Sequence, residues 1–235
     1  MKNILIAFSG KAQSGKSTSA NILKDLILDI QYEQLKNDPN IEAVSRNGDS
    51  FDVVEKNGSH QGWALWTSSG QIHSFATALK EIAGKYFNWE GDKGIYYTKE
   101  DIGDGDGIVE IVDVPIPDSG RQLLINIGQA FRAIRPSIWV DYVVNNIKKE
   151  SQKYENRGMA FIVDDMRFRN EIKLCKTFDP CFTVRISRPN ELHIEDASET
   201  DLDNESFDYY IKNNGSKEEL KSELEKIYKD IISKI

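Results

Sequence analysis

The chain has 235 residues, a net charge of −8 and a hydrophobic fraction of 39%, values of a soluble globular chain with one domain, or one domain and a small mobile part. An acidic whole argues against nonspecific binding to nucleic-acid backbones, which needs a basic surface, and no apolar run approaches the ~18 residues that span a bilayer. Cys175 and Cys181 make no disulfide framework and His60, His73 and His193 are scattered, so the expectation is two reduced thiols in a cytoplasmic protein without a His-rich metal site.

Ile4-Leu5-Ile6-Ala7-Phe8 is a continuous apolar run, as a strand buried on both faces requires. Gly10 to Gly15 breaks it. From Ser17 a helical period runs through Leu23, Leu26, Ile27 and Ile30. Residues 37–70 carry turn chemistry at Asn47-Gly48 and Asn57-Gly58, with apolar stretches at Phe51–Val54 and Trp63–Trp66. The pattern predicts an inserted β-hairpin turning at Asn57-Gly58. Ile72–Phe75 reads as a short strand and Ala76–Phe87 as a helix. Residues 90–118 hold nine carboxylates against two lysines and read as an acidic, solvated loop.

Gly120–Ile134 is an amphipathic helix with Leu123, Leu124, Ile127, Ala130 and Phe131 on one face, ended by Arg135-Pro136. Ser137 caps a second helix through Val140, Val143, Val144 and Ile147. Met159–Val163 is a buried strand that ends at Asp164-Asp165. A helix over Asn170–Lys176, a strand over Cys181–Ile186, a polar lid-like segment over 187–206 and a strand over Phe207–Ile211 follow. Ser216-Lys217-Glu218-Glu219 is a capping box opening the closing helix. Strands alternating with helices predict an α/β fold of three layers around a parallel sheet of about five strands.

One motif carries chemistry. Gly10-Lys11-Ala12-Gln13-Ser14-Gly15-Lys16-Ser17 matches G-x-x-x-x-G-K-[ST] between a buried strand and an amphipathic helix. In such a phosphate-binding loop (P-loop) the glycines let successive N–H groups turn toward phosphate oxygens, and the helix adds its positive end. Gly10 to Thr18 would bind ATP: Lys16 supplies charge to the β and γ phosphates, and Ser17 offers a hydroxyl to Mg²⁺. The apolar run ending at Asp164-Asp165 has the form of a strand that holds the Mg²⁺ shell. Asp164 is taken as the metal residue, although adjacent strand residues face opposite ways and the pattern does not choose between the two.

An anionic acceptor calls for arginines. Arg121 and Arg132 are eleven apart, which puts them ~20° apart around a helix and ~16 Å apart along it. Arg167 follows the Asp pair. Arg185 and Arg188 lead into the polar 187–206 segment, where a lid arginine would neutralise charge on a transferred phosphoryl group and exclude water. Trp63, Trp66, Phe131 and Trp139 have rings for stacking on a base or for filling a core.

Together these stretches resemble the deoxynucleoside monophosphate kinases of tailed bacteriophages, a branch of the P-loop nucleoside monophosphate kinase fold. The resemblance rests on Gly10–Thr18; on Ser74-Phe75-Ala76-Thr77-Ala78-Leu79-Lys80; on Gly120–Leu124 through Gly128, Arg132 and Ile138-Trp139-Val140; and on Val163-Asp164-Asp165-Met166-Arg167-Phe168-Arg169-Asn170-Glu171. A weaker stretch is His193 to Glu199 with Phe207-Asp208 and Asn213–Ser216. It implies a single kinase domain over 1–235, with a small lid and the inserted hairpin. It implies Mg²⁺- and ATP-dependent phosphorylation of a deoxynucleoside monophosphate in the cytoplasm of a host cell. Lys80, Arg121, Arg132, Trp139, Asp165 and Arg167 would line the acceptor side. Lys16, Arg132, Arg185 and Arg188 would be catalytic, with Arg185 or Arg188 on the lid. A homodimer is consistent with the resemblance. The rival readings are another small-molecule kinase resembling dephospho-coenzyme A kinase, and a P-loop ATPase or nucleotide-binding regulator.

Overall fold

The computed structural model describes residues 3–57, 60–61, 71–89, 120–153, 159–189 and 197–235. The acidic 90–118 stretch, Trp63, Trp66 and His193 lie outside them. The chain divides into two compact units, one of Met1–Ser74 with Val143–Ile235, the other Phe75–Tyr142.

The first unit is built on a five-stranded sheet. Its strands are β1 (Ile4–Ser9), β5 (Gln71–His73), β6 (Ala160–Met166), β7 (Cys181–Ser187) and β8 (Tyr209–Lys212). They lie in the order β5-β6-β1-β7-β8, and every neighbouring pair is parallel. β1 is central and buried at all six positions, which is why its sequence is apolar without alternation. Its two neighbours come from a later stretch of the chain. The crevice beyond its C-terminal end is thus the place where a parallel sheet offers a binding site.

Helix α1 (Lys16–Lys36) and the closing helix α7 (Lys217–Ser233) pack on one face of this sheet. Ile4, Ile6 and Phe8 meet Leu23, Ile27, Leu224 and Ile231 there in one buried cluster. Leu5 and Ala7, which alternate with them, are buried as well, so both faces are covered. The capping box of α7 forms as expected. Ser216 Oγ accepts from the Glu219 N–H and the Glu219 carboxylate accepts from the Ser216 N–H.

The insertion after α1 differs from the expected hairpin. β2 (Ile41–Asn47) and β3 (Ser50–Glu55) pair antiparallel around Gly48, which has φ 62°. β4 (His60–Gln61) pairs antiparallel with β3 on its other side. The result is a three-stranded sheet, not a hairpin. Ile41-Glu42-Ala43-Val44-Ser45 has no clean alternation, so the first strand carries little strand signal in the sequence. Phe51 and Val53 fill a small core against Leu28 and Leu35 of α1.

Two further boundaries shift. β6 runs through Asp164-Asp165 to Met166 rather than stopping at them, and the segment read as a polar loop over 187–206 contains a one-turn helix, α6 (Ala197–Thr200). Helix α5 (Arg169–Cys175) joins β6 to β7. Cys175 and Cys181 are free, and a hydrogen bond with Cys181, together with burial, pushes the Cys175 thiol up.

In the second unit, α2 (Ala76–Phe87) and α3 (Gly120–Ile134) pack through Leu79, Ala83, Leu123 and Ile127. Helix α4 (Ile138–Lys153) begins in this unit and continues into the first. Among the described residues, no helix is long and apolar enough to cross a membrane.

Candidate functional site

The Gly10–Ser17 loop leaves the end of central strand β1 and enters α1. Its two end glycines are required by close packing. A Cβ on Gly10 would collide with the Ile186 carbonyl oxygen and with Ser14 Oγ. Gly15 has φ 102°, in the left-handed region, and a Cβ there would meet Asn213 Nδ2. Asn213 donates from Nδ2 to the Ser14 carbonyl at 2.9 Å, so the turn after β8 braces the loop from outside. Ser14 is fully buried, and its hydroxyl has no hydrogen-bond partner among the described residues.

Lys16 is 7% exposed. Its ammonium folds back over the loop and donates to the carbonyls of Gly10 and Lys11, both at 2.7 Å. Burial lowers its pKa from 10.5 to about 8, helped by the charges of Arg167 and Arg185 and opposed by Glu199 and Asp165. Ser17 and Thr18, in the first turn of α1, are exposed.

Around the loop stand the ends of β6 and β7. Arg185 pairs in register with Ser9 and donates to Ser9 Oγ at 2.8 Å and to Asp203 at 2.7 Å. Arg167, just beyond β6, donates to Glu199 at 2.5 Å. Glu171 of α5 accepts from the backbone N–H groups of Arg167 and Phe168 at 2.6 and 2.9 Å, which fixes the turn carrying Arg167. Asp165 accepts from Ser74 Oγ at 2.5 Å. The charge of Asp165 is among those that act on Lys16; Asp164, expected as the metal residue, stands beside it on β6 and is half-buried like it.

Sequence reasoning therefore placed Gly10 to Thr18, Asp165, Arg167 and Arg185 in residues that converge on one end of the sheet. Arg188 is exposed just past β7. Lys80, Arg132 and Trp139 belong to the second unit, as does the backbone of Arg121 in α3. There Lys80 is exposed. Gly128 is buried, and a Cβ on it would crowd Arg132 Nη1 at 3.3 Å and Leu79 at 3.7 Å. Trp139 is 3% exposed, tilted against Phe131 with ring centroids 5.4 Å apart, and its indole N–H donates to the Gly128 carbonyl at 3.4 Å. Of the two roles open to that ring, core filling is the one its position expresses.

Three residues at the loop had been given no role there. Glu199 and Asn213 fall in the weaker stretch of the resemblance, but they and Asp203 come from polar segments after β7 and β8, where composition reads as solvated. Glu199 is 4% exposed, and its carboxylate accepts from the Ala12 N–H at 2.6 Å. Asp203 lies 3.6 Å from Lys11 as well as bonding Arg185. No His, Cys, Asp and Glu grouping of three or more among the described residues is arranged to hold a metal by itself.

No family model matches the chain, and no curated protein sequence matches it.

Proposed function

We propose that the protein is an ATP-dependent kinase that transfers the γ-phosphoryl group to a deoxynucleoside monophosphate, giving the diphosphate and ADP. The observation that carries this reading is the crowding of cations where the Gly10–Ser17 loop leaves the central strand. Lys16 is buried over the loop's own carbonyls, Arg185 donates to Ser9 at the end of β1, and Arg167 is tied through Glu199 to the Ala12 N–H. Cations gathered at one loop are suited to receive an anion. The loop motif, the helix that starts at Lys16 and the position at the C-terminal end of a parallel sheet all favour a nucleotide's phosphates as that anion. The choice of acceptor rests on the resemblance of the Asp164–Glu171 and Gly120–Val140 stretches to the phage kinases.

Under this reading the backbone N–H groups of the loop hold the ATP phosphates. Lys16 swings from the Gly10 and Lys11 carbonyls to the phosphates. Ser17 and Asp165 offer hard oxygen donors, which suit Mg²⁺ bound mainly through the nucleotide's phosphates rather than in a protein cage. Asp164, the residue expected in this role, is the other carboxylate that the end of β6 offers. Mg²⁺ would offset phosphate charge. The acceptor phosphate oxygen is already anionic, so in-line attack needs no strong base, and catalysis is positioning and charge neutralisation. Arg185 supplies a cation from the sheet, and the resemblance implies acceptor-side roles for Lys80, Arg121 and Arg132.

The test is ADP release from Mg·ATP with a panel of deoxy- and ribonucleoside monophosphates. Release that depends on a deoxynucleotide, and that falls by about a hundredfold or more in Lys16→Ala, is the expected result. Acceptor-independent release would make the protein an ATPase, and no release with any acceptor would sink the kinase reading.

A further inference from the structure

Glu199 is the most deeply buried carboxylate at the loop, its side chain only 1% exposed. It sits on the one-turn α6. Its neighbours Asp201, Asp203 and Glu205 also reach cations, since Asp201 and Glu205 meet Arg169 and Asp203 meets Arg185. Those three are each about a third exposed, and anchoring of this segment is within their reach. A buried carboxylate is a costly additional anchor, because desolvation must be repaid by pairing. Its two oxygens do separate things. Oε2 accepts from the Ala12 N–H at 2.6 Å, and Oε1 accepts from Arg167 Nη1 at 2.5 Å. A glutamine could serve the amide alone. Only a carboxylate serves the amide and also neutralises a guanidinium, tying Arg167 to the strand-side half of the loop.

The electrostatics agree with the contacts. Arg167 is the strongest charged influence lowering the Lys16 pKa, and Glu199 is the strongest raising it. Glu199 is thus the counter-ion that lets two cations stand together before an anion arrives. One guanidinium nitrogen is committed to Oε1, and a guanidinium has five N–H donors in a fixed fork. Arg167 keeps 30% exposure of its side chain. Lysines of such loops reach the β and γ phosphates, whereas the α1 end takes the inner ones.

From this juxtaposition we infer that Glu199 is a positioning residue, which holds Arg167 against the terminal phosphoryl group of a bound nucleoside triphosphate. The inference rests on the nucleotide-binding part of the function proposed above and is independent of the acceptor.

Calorimetric titration of the full chain with Mg²⁺ and the β,γ-imido analogue of ATP, and separately with ADP, tests it. Glu199→Gln is expected to weaken the triphosphate by about tenfold and to leave ADP within about twofold. Arg167→Gln should do the same, and the double variant should be no weaker than Arg167→Gln alone, because the two act as one unit. Equal weakening of both nucleotides would reduce Glu199 to a structural brace. Tighter binding in Glu199→Gln would make it a carboxylate that competes with phosphate. Additive losses would uncouple the pair, so each of these three results overturns the inference. Where Glu199→Gln melts out of the folded state, Arg167→Gln decides, since its side chain is partly exposed; an unchanged preference for triphosphate over ADP then defeats the proposal. A parent chain that binds neither nucleotide defeats the reading of the loop itself, a distinct result.

Discussion

Lys16 concentrates the conflict between folding and function at this site. Its ammonium is buried, held by two carbonyls, and its pKa is lowered to about 8 chiefly by desolvation. An unfolded lysine titrates at 10.5, so between about pH 8 and 10.5 the unfolded chain holds more protons than the folded one. The contribution of this residue to stability therefore rises with pH through that window, and at pH 7 the charged lysine costs the fold its full penalty, roughly 3 kcal/mol. Lys16→Met should raise the melting temperature at pH 7 while abolishing nucleotide binding. A melting temperature that falls would mean the two carbonyl contacts outweigh desolvation. The same pKa sets a pH dependence for the intact protein. Phosphate oxygens favour the ammonium, so above about pH 8 binding must carry a proton with it. Affinity for the triphosphate should then decline by up to tenfold per pH unit, and a flat profile from pH 7 to 9.5 would refute a role for Lys16 charge in binding.

Among the elements, those legible in the sequence are the ones whose stability is local or whose burial is complete. β1, β6 and β7 are runs of apolar residues because helices cover both faces of a parallel sheet. α2 and α3 match their expected bounds, Ala76–Phe87 and Gly120–Ile134, because their apolar stripes and the Arg135-Pro136 stop are local signals. α7 was readable from Ser216 and Glu219 for the same reason. Replacement of Ser216 by alanine should cost about 1 kcal/mol of stability. It should leave nucleotide affinity unchanged, since the cap closes on Glu219 of its own helix, and a change in affinity would show that α7 is coupled to the loop. β2 and α6 were not legible. β2 is held by its backbone pairing with β3 and by Ile41 and Val44 against Phe51 and Val53; its pairing is local, but its own side chains carry no alternating signal. α6 is one turn in a polar run, and Glu199 looks like any solvated carboxylate until the fold brings it to Ala12 and Arg167. The loop itself was legible because its signals are local: glycines, a lysine and a helix start lie within eight residues. Of its carboxylate partners, Asp165 was read from the strand end, whereas Glu199, 187 residues from the Ala12 N–H it accepts from, was not.

At the scale of the whole molecule, two effects oppose each other on acidification. The chain carries a net charge of −8 and has a pI near 5.1, so lowering the pH from 7 toward 5 relieves general repulsion and favours the compact state. His73 acts in the other direction. It ends edge strand β5, packs against Phe161 with ring centroids 6.0 Å apart, and is pushed down from 6.5 to about 4 by burial, even with the Glu150 carboxylate 3.2 Å from Nε2. Between those two pH values the unfolded chain takes up a proton that the folded chain refuses. Stability is therefore lost as pH falls from 6.5 to 4, by as much as roughly 3 kcal/mol. Relief of exposed charge is worth less, because water and salt screen it. Denaturant unfolding of the parent chain should accordingly show a falling midpoint from pH 6.5 to 5. His73→Gln should reverse the trend, its midpoint level or rising toward the pI, because only the charge relief remains. Parallel curves for the two proteins would show that burial of His73 does not set the acid sensitivity.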